Sequence, residues 1–205
     1  IYINRFKVTE DYSQGIFFVM KNIKTKQIWS SNYSFNDKKE ENYQIKFMPD
    51  KIEQEIEQDN IKTKIQTIIT PDDNSEIRKV TLENRGLEEE ILEITAYFEP
   101  VLSKKEQDYA HPVFNNLFLK FNYDENTNSI LVKRRTREKS EQKIYLAANL
   151  VAPEIETIGK LEFEIDKEKF TGRGNIQIPE MVKNSTPLST NNMETKDISR
   201  KMEKG

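Results

Sequence analysis

The chain has 205 residues, 35% hydrophobic and 33% charged, which is hydrophilic for a globular protein yet long enough to bury one large core or two small ones. Its 32 basic and 35 acidic residues are interspersed and leave a net charge of −3, which argues against electrostatic capture of nucleic acid. The absence of cysteine excludes a disulfide scaffold and a thiolate metal site and makes a reducing compartment the simpler expectation. No apolar run approaches the roughly 18 residues that would suggest a membrane-spanning helix.

The chain opens at Ile1-Tyr2-Ile3-Asn4-Arg5-Phe6, which reads as the interior of a strand and so as a piece of something larger. Gly15 to Met20 is a short apolar run, Asn22 to Gln27 a polar turn and Ile28-Trp29-Ser30 a return, the pattern of a hairpin. Tyr43, Ile45 and Phe47 alternate with polar residues. Ile61, Thr63, Ile65, Thr67 and Ile69 do the same until Pro71-Asp72-Asp73-Asn74 breaks the run, and period two with β-branched residues predicts strands. Glu53, Glu55 and Glu57 alternate along what reads as an exposed, solvated strand face. Val80 and Leu82 lead to the turn Asn84-Arg85-Gly86, and Leu92, Ile94, Ala96 and Phe98 then share one face.

The run Asp108-Tyr109-Ala110-His111-Pro112-Val113-Phe114 holds the only histidine and reads as a long loop between two strands, a place where binding residues tend to sit. Beyond it Leu117, Leu119, Phe121 and Tyr123 alternate, the turn Asp124 to Asn128 follows, and Ile130 and Val132 complete a hairpin. Lys133, Arg134, Arg135 and Arg137 form a basic cluster, read as a solvated strand end or a dock for an acidic partner. Ile144 to Val151 predicts a central strand buried on both faces, and Leu161, Phe163 and Ile165 a final strand. Roughly ten strands without a long helix imply a large β-sandwich. The folded domain is expected over residues 1–183, with a polar, mobile tail over 184–205.

Several residues could carry chemistry. An imidazole is suited to acid or base chemistry near neutral pH, so His111 could serve as acid or base, or could simply fix its turn with Pro112. Glu99 and Asp108 flank the same loop and could act as paired carboxylates or as strand-end hydrogen-bond acceptors. Trp29 could stack on a sugar ring or fill a core. Phe170-Thr171-Gly172-Arg173-Gly174 could wrap a phosphate or a sugar, or be a turn that exposes Arg173; it lacks the lysine and hydroxyl of a Walker loop. Zinc is not expected, and neither is any cofactor.

The ordered series of Gly15-Ile16-Phe17-Phe18 with Trp29-Ser30, Tyr43 through Phe47, Ser75-Glu76-Ile77-Arg78 and Thr95-Ala96-Tyr97-Phe98-Glu99 continues through the second half. There it takes in Ala110-His111-Pro112 with Phe114 and Leu117-Phe118, then Phe170 with Gly172-Arg173-Gly174, and Pro187-Leu188-Ser189. This series resembles the β-supersandwich domain of glycoside hydrolase family 94, formerly glycosyltransferase family 36, with its strongest likeness to the sandwich domains of cyclic β-1,2-glucan synthases. The resemblance implies an all-β, galactose-mutarotase-like, antiparallel supersandwich that is carbohydrate-binding and non-catalytic. It also implies a catalytic (α/α)6 barrel elsewhere in the parent enzyme. Expected partners are a β-glucan or glucooligosaccharide, that barrel, and a second copy in a homodimer. The domain is expected to be cytoplasmic, with a parent enzyme that can associate with a membrane.

Trp29, Glu99, Asp108, His111, Phe114 and Arg173 are the candidates for contact with sugar or barrel, and no catalytic role transfers to any of them. One departure is Asn175, where the family usually has a further arginine. Another is the missing glycine- and serine-rich segment before Ile3, which suggests an excised domain or a truncated reading frame. A purely structural domain docking a barrel, and an independent enzyme using Glu99, Asp108 or His111, are the alternative readings.

Overall fold

The structure is a computed structural model and describes residues 2–5, 15–35, 42–124, 126–136, 141–152, 157–173 and 176–188. In the first half the strands are β1 (Tyr2–Asn4), β2 (Phe17–Asn22), β3 (Ile28–Ser30), β4 (Tyr43–Phe47), β5 (Ile52–Gln58), β6 (Ile61–Ile69), β7 (Glu76–Asn84) and β8 (Leu92–Tyr97). After β9 (Pro100–Ser103) come two short helices, α1 (Lys105–Ala110) and α2 (Pro112–Asn116), then β10 (Leu119–Asp124), β11 (Ser129–Arg134) and β12 (Tyr145–Asn149). Helices α3 (Lys167–Thr171) and α4 (Glu180–Asn184) complete the described residues. All strand pairs are antiparallel, so the all-β class is as the alternation predicts. Among the described residues, no helix is long and apolar enough to cross a membrane.

The chain forms two compact units, one of Thr9–Tyr97 with Ile176–Ile178 and one of Ile1–Val8, Phe98–Asn175 and Pro179–Gly205. The first unit holds a sheet of order β3-β2-β8 and another of order β4-β5-β6-β7. Their inward residues meet in one core: Phe18, Met20 and Trp29 from the first sheet face Ile56, Ile61 and Ile65 from the second. Tyr43, Val80, Leu82 and Leu92 fill in around them. Each such side chain removed from water contributes about 1.5–3 kcal/mol. Strand β2 is buried along its whole length, as suits the middle strand of three.

The other face of the four-stranded sheet carries the glutamates that the alternation marks as solvated, and one of them is not. Glu53 is 6% exposed, accepts from Gln66 Nε2 at 2.6 Å, and pairs with Lys51 and Lys64 at 3.0 and 3.1 Å. These contacts, the Gln66 hydrogen bond foremost, hold its carboxyl down at about 2. Alternation identifies an outward face, but it does not say that three long side chains will fold over one acid.

The second unit contains the β1–β9 pair and a sheet of order β10-β11-β12. Leu102, Leu119 and Val132 form its buried centre, with Phe121, Ile130, Ile144 and Leu146 packed against them. Three sequence expectations change here. The apolar run 144–151 is not a central strand: among the described residues β12 pairs only with β11, and Tyr145, Ala147 and Asn149 face outward. A continuous apolar run looks alike at the centre and the edge of a sheet, and here two of its seven apolar residues are small alanines.

Leu161, Phe163 and Ile165 belong to no sheet. Phe163 instead packs its ring 4.9 Å from Tyr123, and Asp166 then caps α3 by accepting from the Lys169 amide at 3.3 Å. Finally, the expected loop around His111 is the helix pair α1 and α2. Pro112 occupies the first turn of α2 and pushes His111 to φ −144°, ending one helix where the next begins. Of the expected tail, Asn184 closes α4, and residues 189–205 lie outside the described residues.

Candidate functional site

Arg5, just past β1, organises the acids around α1 and α2. Its Nε and Nη2 donate to the two Asp108 oxygens at 3.0 and 2.7 Å, and Nη1 donates to Glu99 at 3.0 Å. Nη2 also reaches Asn116 Oδ1 at 2.9 Å. The other Glu99 oxygen accepts from Lys167 at 2.5 Å, and Asn115 donates to both Asp108 and Ser103. The two acids singled out in the sequence therefore converge, but on a guanidinium. The hydrogen bonding to Asp108, which accepts from the guanidinium, assisted by the charges of both acids, holds Arg5 above its ordinary pKa. With Asp108 only 3% exposed, the arrangement clamps the helix pair to β1 and β9. Arg5 escaped the sequence reading because its partners lie about a hundred positions away.

His111 is exposed, and its backbone works at both ends: its amide donates to Gln107 and its carbonyl accepts from Asn115. Phe114, also exposed, sets its ring edge-on to Phe118 at 5.3 Å. Phe118 in turn lies under the guanidinium groups of Arg134 and Arg135. The basic cluster is thus only partly a solvated strand end, since Arg134 is buried; Arg137 lies outside the described residues. Arg173 is exposed one residue beyond Gly172, which ends α3 at φ 62°. Gly174 and Asn175 lie outside the described residues. Trp29 is 3% exposed in the core of its unit, its Nε1 donating to Thr63 Oγ1 at 3.3 Å.

One pocket of about 260 Å³ lies within the first unit, between the β2–β3 turn, the β5–β6 turn and the chain entering β8. Asn22, Gln27, Gln58, Asn60, Asp59 and Glu90 give it polar walls, and Trp29 and Ile61 contribute apolar surface. Asn22 is spent internally: its Oδ1 accepts from the Lys24 and Thr25 amides, and its Nδ2 donates to Glu90 at 3.0 Å. Asp59 takes φ 50°, a left-handed turn conformation that aspartate tolerates. No residue here belongs to a recognisable motif. The available signal was the density of side-chain amides in the two turns that border Trp29 and Ile61. Among the described residues, no group of three or more histidines and acids could hold a metal ion.

Residues 4–198 match the family described as glycosyl hydrolase 94, supersandwich domain. Over 160 residues the chain is 28% identical to the cyclic β-(1,2)-glucan synthase NdvB of Rhizobium meliloti (strain 1021), an alignment covering 78% of this chain and 6% of that protein. The chain therefore spans a small part of the length of this relative. Its antiparallel sheets suit the matched family, and with nearly the whole sequence covered, the chain belongs to the glycosyl hydrolase 94 supersandwich domain family.

Proposed function

We propose that this domain binds carbohydrate without turning it over, as the sandwich part of a β-glucan-acting glycoside phosphorylase or cyclic β-1,2-glucan synthase. The observation that carries the non-catalytic half is the Arg5 clamp: Glu99 and Asp108 are both committed to one guanidinium instead of standing free on either side of a bond to be cut. The carbohydrate half is supported by family membership and by likeness to a glucan synthase. The purified chain should be retarded on immobilised β-1,2-glucan and should release no sugar phosphate from β-1,2-glucooligosaccharides and inorganic phosphate. Phosphorolysis that disappears in Glu99→Gln would overturn this reading.

A second role, docking a catalytic (α/α)6 barrel or a second copy, has its own support. Phe47 is 78% exposed beside its cross-strand partner Ile52, and Ile45 and Ile69 are exposed on the same face of the four-stranded sheet. Self-association in sedimentation that is weakened by Phe47→Ser would support the homodimer form of this role.

A further inference from the structure

The pocket of the first unit is not lined like a gap in the core. The side-chain amides of Gln27, Gln58 and Asn60 make no hydrogen bond among the described residues. Each amide offers two donors and one acceptor in a plane, so the wall can both give to and accept from neighbouring hydroxyls. Buried Trp29 supplies an apolar side. Two carboxylates, Asp59 and Glu90, line the pocket and, among the described residues, no lysine or arginine does, so an anion such as phosphate is disfavoured.

Size narrows the ligand further. A volume of about 260 Å³ falls just below the roughly 300–1,000 Å³ of sites for drug-sized ligands, leaving room for one ring and not for a folded chain. Asp59 and Asn60 are exposed, so the ring can enter from solvent with its neighbours in a chain left outside. A neutral ring with many hydroxyls and one apolar face meets all of these conditions.

We propose that this pocket is a subsite for one pyranose unit of a neutral glucan, its hydroxyls on Gln27, Gln58 and Asn60 and its C–H face toward Trp29. The inference rests on the carbohydrate-binding reading and assigns that binding a place. The test is titration of the ¹⁵N-labelled chain with glucose and with a β-1,2-linked glucotriose, with inorganic phosphate as a charged control, following side-chain amide signals. The expected result is saturable movement of the Gln58 and Asn60 signals with sugar and none with phosphate. Gln58→Ala or Asn60→Ala should each weaken binding by about 2- to 10-fold, the loss of one net hydrogen bond.

Saturable movement confined to other signals would remove this site and leave carbohydrate binding standing. No saturable movement with either sugar would remove both. Saturation by phosphate instead of sugar would overturn the assignment of ligand class. The parent chain's own signals decide among these outcomes even if a variant fails to fold.

Discussion

Arg5 and Asp108 stand 103 residues apart in the chain and meet through two hydrogen bonds, at 3.0 and 2.7 Å. This fork-to-fork geometry sets direction as well as distance, so it fixes how α1 lies relative to the end of β1. Such a buried pair adds little net stability over an apolar substitute, but losing one member strands the other charge. The clamp therefore specifies an arrangement more than it strengthens one.

Arg5→Met should cost about 3–5 kcal/mol in urea unfolding at neutral pH, because Asp108 is left buried and unpaired. Adding Asp108→Asn to that variant should recover part of the loss by removing the stranded charge. A single-variant loss below about 1 kcal/mol would put the pair in the class of solvent-exposed ion pairs and end the clamp description.

Glu53 should make stability depend on acid. Its folded pKa of about 2 lies below the ordinary 4.5, so its stabilising contribution is complete above pH 4.5 and is lost as pH falls toward 2. Glu53→Gln should flatten the fall in thermal midpoint across that window. An unchanged slope would show that Gln66, Lys51 and Lys64 do not hold the carboxylate in solution.

Trp29 is the only tryptophan and lies in the core, so its fluorescence should be blue-shifted in the native chain and move red as its unit unfolds. Trp29→Ala should destabilise by about 3–5 kcal/mol, the range for emptying a large aromatic site. Native emission already at the wavelength of a solvated indole would contradict this placement.

Gly172 has two reasons to be glycine. Its φ is 62°, and the Glu180 carboxylate occupies the space where a Cβ would stand. Gly172→Ala should cost more than about 1 kcal/mol. Pairing it with Glu180→Ala should return only the carboxylate's share of the loss, since the Glu180 Cβ, 2.8 Å from where the new Cβ would stand, and the backbone cost both remain; a thermal-melt series on the three variants measures that share.

His111→Ala should change stability by no more than about 0.5 kcal/mol, since the side chain is exposed and the turn is held by backbone bonds and Pro112. A larger loss in urea unfolding would assign the imidazole a structural contact.

Much of the strand content was legible in the sequence. The alternation of Ile61, Thr63 and Ile65 gives β6 its buried face, and the turn residues between Asp124 and Asn128 mark the β10–β11 hairpin. The helix pair around His111 was less legible, because runs of five and six residues are too short to show a helical period. For the candidate site the sequence singled out Glu99 and Asp108 but could not supply their shared partner. The pocket was silent for a related reason: turn amides become a wall only when two turns separated by about thirty residues come together.

By itself, then, the sequence determined the local states, that is, which segments extend, where they turn and which side of each strand is apolar. These follow from side-chain period and backbone sterics, which act over a few residues. Tertiary structure decided the rest. It put Arg5 between two acids, folded Lys51, Lys64 and Gln66 over Glu53, placed β12 at an edge and buried Trp29 beside unspent amides. Pairing partners and buried charges depend on which distant segments meet, and no local pattern encodes that choice.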